Sequence, residues 1–513
     1  MMLLNELLVG LDIVNLDGNL NRAVTGVTYD VRRVSPGMVY CAILGRDQDG
    51  HEHIEQAIEQ GAVGIVSERN GMIRNRAAKI QVRHSRNTLA KMSARLLQHP
   101  ERKLKIIAVT GGKSRACTAF FLKQIMEQSG HATALISSIR CEIGSRILPG
   151  ITPHSESLDY QQILASSVRS GMTSCVIELD PEMIGSHRLG ELGFDLMVIT
   201  RGIENDQEIP AVRLIERLAH SGRKTIIPVV LGLEDDFGRR LRGGEQVQVQ
   251  YTYGFSERAQ VRAANIGLLR DGTRFTLQTD QKQFPCPTQI VGRGNLMDML
   301  AAIAGAKAVG IGTNQIIQSV RQLTAPGILQ PLRHSSGWSV FVDGARSPAE
   351  LKEVLGTLRE LGPKKLITVF GCPGDSSQDH CAAMGQVAAE GADLSIITSD
   401  NPKHESPRNL ALKVLGGYAT RRNDGARMEL DRSAAILSAI RTAEPGDIVL
   451  IAGKGHDNVQ EIAGAIIPFD DLDNAREAVL QVKQKTSISI THSRPLGKML
   501  RSPKPSWVRA GYN

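Results

Sequence analysis

Short apolar runs recur along this chain, each followed by a stretch in which apolar positions return every three or four residues. MVYCAIL, GAVGIV and AKIQV alternate with helix-patterned segments such as HIEQAIEQ. KIIAV, ATALIS, SCVIEL, FDLMVIT and KTIIPVVL repeat the pattern, and SVFVD, KLITVF, LSIITS and DIVLIA repeat it again. Strands alternating with helices imply parallel sheets joined by right-handed crossovers. The pattern therefore predicts an α/β chain of three domains, each with a mostly parallel sheet, over residues 1–102, 103–325 and 326–485, followed by a tail over 486–513. Pro326-Gly327 breaks the periodicity and reads as a linker. The length of 513 residues agrees with about three domains.

One segment interrupts the regularity. VTGGKSRACTAFFL, Val109 to Leu122, follows the apolar run KIIAV and leads into a helical pattern through Phe120, Phe121, Leu122, Ile125 and Met126. Strand, glycine turn and helix is the context in which backbone N–H groups and a helix N-terminus hold phosphates, with a lysine on the terminal phosphate and a Ser/Thr hydroxyl on magnesium. Here those pieces are out of order, and a Gly-Gly pair by itself marks only a turn.

Charge adds one feature. The formal net charge is +8. Arg494, Lys498, Arg501, Lys504 and Arg509 supply five of these excess charges within 486–513, a stretch without acids whose composition predicts disorder. Such a tail could touch nucleic acid or anionic lipid; more often it is a solvated end, and nucleic acid is not expected as a partner. Seven cysteines without CxxC spacing predict no disulfide framework and a cytoplasmic setting. His380, Cys372 and Cys381 fail as a zinc set on spacing and ligand number. No apolar run is long enough to span a bilayer. The N-terminus, with Glu6 and Asp12, lacks a signal-peptide pattern.

Several ordered motifs carry a family resemblance from about Thr25 to Val479. These are YDVRRVSPGMVYCAILGRDQDGHEHIEQAIEQGAVGIVSE (29–68), GRGNLMDMLAAIAGA (292–306), VDGARSPAELKEVL (342–355), VFGCPGDSSQ (369–378), TSDNPK (398–403) and IAGKGHDNVQ (451–460). In this order they resemble the Mur ligases of the MurE type, which join an amino acid to UDP-N-acetylmuramoyl-dipeptide using ATP. The resemblance implies a P-loop-like central domain and a Rossmann-like C-terminal domain. It implies a uridine-nucleotide site at Arg32, Asp49, Gly50 and His51, although Val31 stands where the family has serine. It places an ATP site at Gly111, Gly112, Lys113, Ser114, Arg115 and Asn295, and an amino-acid site at Asp400, Asn401, Lys403, Gly453 and Asp457. Glu178 matches a magnesium-binding glutamate.

The departures concentrate on the ATP apparatus. Laid ungapped on the family's TGTNGKTT, the loop puts Ser114 at the last glycine, Arg115 at the lysine and Ala116 at the magnesium-binding threonine. A shortened alignment keeps Gly112-Lys113-Ser114 instead. EVSSH becomes ELDPE, with Glu182 at the histidine, and Asn205 and Asp206 stand where the family has Asp-His. No lysine lies between Arg201 and Arg223 to serve as the carbamylated metal-binding residue, Arg213 and Arg217 being nearest its place. PGRME becomes PGILQ, Arg346 replaces a histidine, and PGDSSQDHC has lost the basic residues of GGDRDRGKR. Arginine is a poor substitute in a slot shaped for an ammonium.

The expected function is accordingly a MurE-like protein with impaired or lost ligase chemistry, binding a UDP-N-acetylmuramoyl-peptide or an amino acid and serving as a partner or regulator of cell-wall synthesis proteins. The competing expectation is a divergent but active ligase using ATP and Mg2+, with Lys113 and Ser114 in a shortened loop and Glu178 and Glu182 on the metal. A third places nucleic acid or an anionic surface on the tail.

Overall fold

A computed structural model of the chain describes residues 2–492 except 46–48, 71–76, 113, 152–154, 181–182, 184–187, 191, 202–226, 235–237 and 239–247, with side chains described as far as 483. The chain divides into two units, Met1–Ala325 and Pro326–Asn513.

The first unit holds two large sheets. Gly26–Thr28, Met38–Cys41, Gly64–Ser67 and Ala78–Val82 pair in parallel, and Ile13–Asp17 adds an antiparallel edge. The second sheet has eleven strands. Its parallel centre runs Thr133–Ile136, Ser174–Glu178, Lys105–Thr110, Leu196–Ile199, Pro228–Gly232, Gln248–Gly254. Thr133–Ile136, Ser174–Glu178 and Leu196–Ile199 are buried at every position, and Lys105–Thr110 at every position after Lys105, which is why they read as unbroken apolar runs. Each fully buried aliphatic side chain of this kind contributes about 1.5–3 kcal/mol.

The flanks of that sheet are antiparallel, so the sheet is mostly parallel, as expected, rather than wholly so. Arg140–Ile143 and Arg146–Pro149 form one hairpin, and Val261–Leu269, Gly272–Thr279 and Lys282–Thr288 form a meander. Asp280 and Gln281, both at positive φ (51° and 58°), make the two-residue turn of the last hairpin, the backbone that matches strand twist best. Lys307 Nζ fixes this turn, donating to Asp280 Oδ2 at 2.5 Å.

The two sheets of this unit are joined by polar contacts: Tyr29 donates to Asp159 Oδ2 at 2.7 Å, and Arg86 Nε to Glu156 Oε1 at 3.0 Å. Leu158 packs into the core of the first sheet.

In the second unit, Ser339–Asp343, Ile448–Ala452, Leu366–Phe370, Leu394–Ile397 and Ala426–Met428 form a parallel sheet with Gln330–Leu332 antiparallel at one edge. Helices Pro348–Glu360, Gln378–Gly391, Pro407–Ala419 and Arg432–Thr442 connect them. The first begins with Pro348 and a capping box: Ser347 Oγ accepts from Glu350 N and Glu350 Oε2 from Ser347 N, at 3.3 and 3.0 Å. A hairpin, Val459–Ile462 with Ala465–Pro468, follows the last strand. Among the described residues no helix is long and apolar enough to cross a membrane.

Candidate functional site

Strand Lys105–Thr110 delivers the glycine turn to the N-terminus of helix Arg115–Gln128. Gly111 has φ +124°, and a Cβ there would lie 2.5 Å from the Thr200 carbonyl oxygen, so only glycine fits. Lys113 lies outside the described residues. Ser114 stands at the helix start without a side-chain cap, its Oγ buried and unpartnered.

Arg115 turns back onto the loop rather than toward an approaching phosphate. Its Nη1 donates to the carbonyls of Gly111 and Gly112, each at 3.1 Å. Its Nη2 donates to Asp180 Oδ2 at 2.9 Å, and its Nε lies 3.6 Å from Glu178 Oε1. Glu178 is buried, and its Oε2 accepts from Ser137 Oγ (2.7 Å), Ser138 N (2.9 Å) and Ser138 Oγ (2.8 Å). One carboxylate oxygen is thus bound by three donors and the other faces a guanidinium. Magnesium is held by carboxylate and hydroxyl oxygens with free lone pairs. The described donor set does not fit it: Ala116 offers no hydroxyl, and the two carboxylates at hand, Glu178 and Asp180, are already compensated. Among the described residues no cluster of three or more His, Cys, Asp or Glu could hold a metal ion. Glu182, Asn205, Asp206, Arg213 and Arg217 lie outside the described residues. Asn295 sits in the first turn of helix Arg293–Ala308, which packs on Arg115–Gln128, and its Nδ2 donates to Val291 O at 2.9 Å.

In the first sheet, Asp30 caps the short turn Val31–Arg33 and pairs with Arg32 through Nε (2.9 Å) and Nη2 (2.8 Å), which holds its carboxyl below the ordinary range. The Arg32 side chain remains 85% exposed. Asp49 caps the next short turn: its Oδ1 accepts from His51 N at 3.0 Å and lies 2.7 Å from His51 Nδ1, while Oδ2 meets Arg69 Nη2 at 2.5 Å. A Cβ on Gly50 would sit 2.9 Å from the backbone of Ile43. His51 Nε2 is buried and unpartnered. Asp49, Gly50 and His51 therefore form one built feature, and Arg32 is a separate exposed cation.

In the second unit the five expected residues converge. Asp400 is buried with both carboxylate oxygens lacking a hydrogen bond. Burial raises its pKa, against the pull of Arg432, Arg346 and Lys454. Gly453, at φ +117°, brings its Cα edge to Asp400: a Cβ would lie 3.5 Å from Oδ2. Asn401 Oδ1 accepts from Lys454 Nζ and Glu461 N, each at 3.1 Å. Lys403 adopts φ +52° and reaches Asp375 Oδ2 at 2.7 Å. Asp457 pairs with Arg346 Nη2, whose Nε donates to Gly453 O at 2.7 Å. Beneath lies a fully buried pair, Arg432 with Asp471, joined through Nε and Nη2 at 2.7 Å each. A cavity of about 520 Å³, lined by Ser399, Arg408, Arg432 and Gln460 among others, opens beside it.

Sequence reasoning missed Asp180, Lys454, Arg432 and Asp471. Asp180 had a signal: an acid appears in ELDPE just as a guanidinium appears in the loop.

With this geometry in view, matches to known proteins become informative. The family's "Mur ligase family, catalytic domain" description matches residues 23–97, its "middle domain" 211–306, and its "glutamate ligase domain" 329–455. The chain belongs to the Mur ligase family, on an α/β fold of three domains. Within the family its similarity is to the MurE type. It is 32% identical to a UDP-N-acetylmuramoyl-L-alanyl-D-glutamate–2,6-diaminopimelate ligase of Solibacter usitatus, over 89% of this chain and 93% of that one. The protein of that name from Alkaliphilus metalliredigens is 30% identical, over 93% and 97%. A solved ligase of the same name superposes with TM-score 0.65 at 25% identity, covering 91% and 97%. MurF from Thermotoga maritima, solved in complex with ADP, shares the fold at TM-score 0.58 and 18% identity.

Proposed function

We propose that this MurE-like chain acts in peptidoglycan precursor synthesis chiefly by binding, with its ATP-dependent ligase step impaired or lost. In the family that step phosphorylates a substrate carboxylate, and the amino group of the incoming amino acid attacks the acyl phosphate. The observation that carries the reading is Arg115, whose guanidinium is spent on the loop's own carbonyls and on Asp180 and Glu178. Losing one preorganised charge or donor costs about 10²–10³ in rate. Residues acting as a unit do not multiply such losses, yet the phosphate lysine, its threonine and the metal ligands are parts of one apparatus.

What remains suited to binding are two regions, each argued on its own. The Asp49, Gly50 and His51 turn, with Arg32 exposed nearby in sequence, is read as the uridine-nucleotide side. Asp400, Asn401, Lys403, Gly453 and Asp457 are read as the amino-acid side: Asp400 presents a buried carboxylate free to accept from an ammonium group, and Lys403 and Arg346 supply cations for a carboxylate. A regulatory place among cell-wall synthesis proteins in the cytoplasm follows from that binding role.

A second reading, an active divergent ligase, is favoured by Ser114, whose buried Oγ has no partner and could serve MgATP together with Lys113, Glu178 and Glu182. Calorimetric titration with MgATP separates the two. No heat at millimolar nucleotide is the expected result. Micromolar affinity that disappears in Lys113→Ala would establish the ligase reading instead.

A further inference from the structure

The cavity of about 520 Å³ in the second unit is walled by residues that follow strands Leu394–Ile397 and Ala426–Met428, at the carboxyl end of the parallel sheet where open α/β folds receive ligands. None of Asp400, Asn401, Lys403, Gly453 and Asp457 lines it. It is therefore a feature separate from the site on those five residues.

Hydrogen-bond donors reach this cavity from two elements. Helix Pro407–Ala419 begins in its wall, with Ser406 and Arg408 among the lining residues and no side chain capping the helix start. Pro407 has no N–H, so the free donors of the first turn are the backbone N–H groups of Arg408 and Asn409. Arg408 is exposed, and among the described residues no acid pairs with it. From the strand side comes Ser399, 6% exposed, whose buried Oγ has no hydrogen-bond partner. A hydroxyl left in that state costs stability unless a ligand meets it.

The other charges of the wall are already spent. Arg432 is paired with Asp471. Asp431 caps its own helix, its Oδ1 accepting from Ala434 N at 3.0 Å, at the positive end of Arg432–Thr442. What is left over is one guanidinium, two backbone N–H groups and the hydroxyls of Ser399 and Ser406. That surplus of donors exceeds what the two oxygens of a carboxylate use and suits the three terminal oxygens of a phosphate ester, the group that helix N-termini and arginine forks bind best. Leu430, Ile462 and Phe469 add an apolar side.

We propose that this cavity binds a small phosphate monoester with an apolar or aromatic body. The phosphate sits at the start of helix Pro407–Ala419, on Arg408 and Ser406 with Ser399 Oγ as a further donor, and the body lies against Leu430, Ile462 and Phe469.

The site shares no residue with the binding regions already assigned, so its test stands apart from theirs. The full chain is titrated calorimetrically, without nucleotide or magnesium, with phenyl phosphate, inorganic phosphate and phenylacetate. Phenyl phosphate should bind about tenfold tighter than either of the others, because the ring's burial and the extra charge-assisted bonds are each worth at least that much. Arg408→Ala, at an exposed position, should keep the native melting temperature and weaken phenyl phosphate about tenfold. Ser399→Ala should weaken it less while leaving the melting temperature unchanged or higher, since the hydroxyl it removes has no partner in the free protein. Asp431→Asn still caps its helix and should tighten binding by lifting a like charge. Equal phenyl phosphate affinity in the native chain and Arg408→Ala would put the phosphate elsewhere on the protein and overturn the proposal. Phenylacetate or inorganic phosphate binding as tightly as phenyl phosphate would overturn it too, as would the absence of heat with all three.

Discussion

The two units meet substitution in opposite ways. In the glycine turn of the first, the foreign residue turns onto its own loop: Arg115 donates through Nη1 and Nη2 to Gly111, Gly112 and Asp180, and its Nε lies beside Glu178. In the second, the substitutions keep charge sign; Lys403 and Asp457 are paired with Asp375 and Arg346, but Asp400 keeps two buried oxygens without hydrogen bonds. An uncompensated buried carboxylate is costly. Retaining one is understandable where a ligand cation meets it, whereas a carboxylate neutralised internally needs no ligand. Internal compensation against retained cost is therefore the physical contrast between the two regions.

The largest expected effect breaks the first side of that contrast. Rebuilding 110–117 as TGTNGKTT removes the guanidinium and restores the loop lysine and threonine together. Because N–H groups at a helix N-terminus depend on local backbone, MgATP affinity should rise at least tenfold over the native chain. Turnover should stay absent, since Ile328 and Arg346 remain in the second unit. A rebuilt protein that folds with the native melting temperature and shows no gain in nucleotide heat would mean that the turn was never the obstacle.

Next in size is the scaffold beneath the second site. Arg432→Ala leaves Asp471 as an uncompensated charge in a fully buried position. Breaking such a pair typically costs about 3–5 kcal/mol, to be read as a shift in the urea midpoint. A change below about 1 kcal/mol would mean that Asp471 protonates or finds water.

Much of this architecture was legible in the pattern of apolar positions, and the reasons are specific. Strands such as Ile448–Ala452, buried at every position, cannot be mistaken for surface segments. The meander Val261–Thr288 was missed because its exposed faces interrupt the apolar runs and its turn at Asp280-Gln281 lacks the glycine that usually marks one. The five residues at the second site were placed by motif and do converge. The direction of Arg115 was not legible at all. Its partner Asp180 is 65 positions away, and only the adjacency of strands Lys105–Thr110 and Ser174–Glu178 brings the two together.

Asp400→Asn sharpens the other side of the contrast. The folded-state pKa is raised, so the native chain binds its proton more tightly than the unfolded one and stability is lost as pH rises through that range. Removing the charge should therefore stabilise the protein at pH 8, while weakening any amino-acid binding. Both movements belong together. A variant less stable at pH 8 would show that Arg432, Arg346 and Lys454 already compensate the carboxylate.

The smallest effect is at Arg32. Its pair with Asp30 is geometrically good, but the side chain is 85% exposed, and ion pairs of that kind contribute little to stability. Arg32→Ala should shift the thermal midpoint by no more than a degree or two for a chain of this size. If the guanidinium instead serves the nucleotide side, saturation-transfer NMR with UDP-N-acetylmuramoyl-dipeptide should lose its signal in the variant while the fold is untouched. The informative combination is unchanged stability with lost binding, because a purely structural arginine moves stability first. Asp49→Ala is the counterpart. It removes the acceptor for His51 and Arg69 at once, so it should lower both stability and binding. Equal binding in the native chain and in Arg32→Ala would leave the Asp49, Gly50 and His51 turn as the nucleotide feature of this domain, with Arg32 reduced to an exposed partner of Asp30.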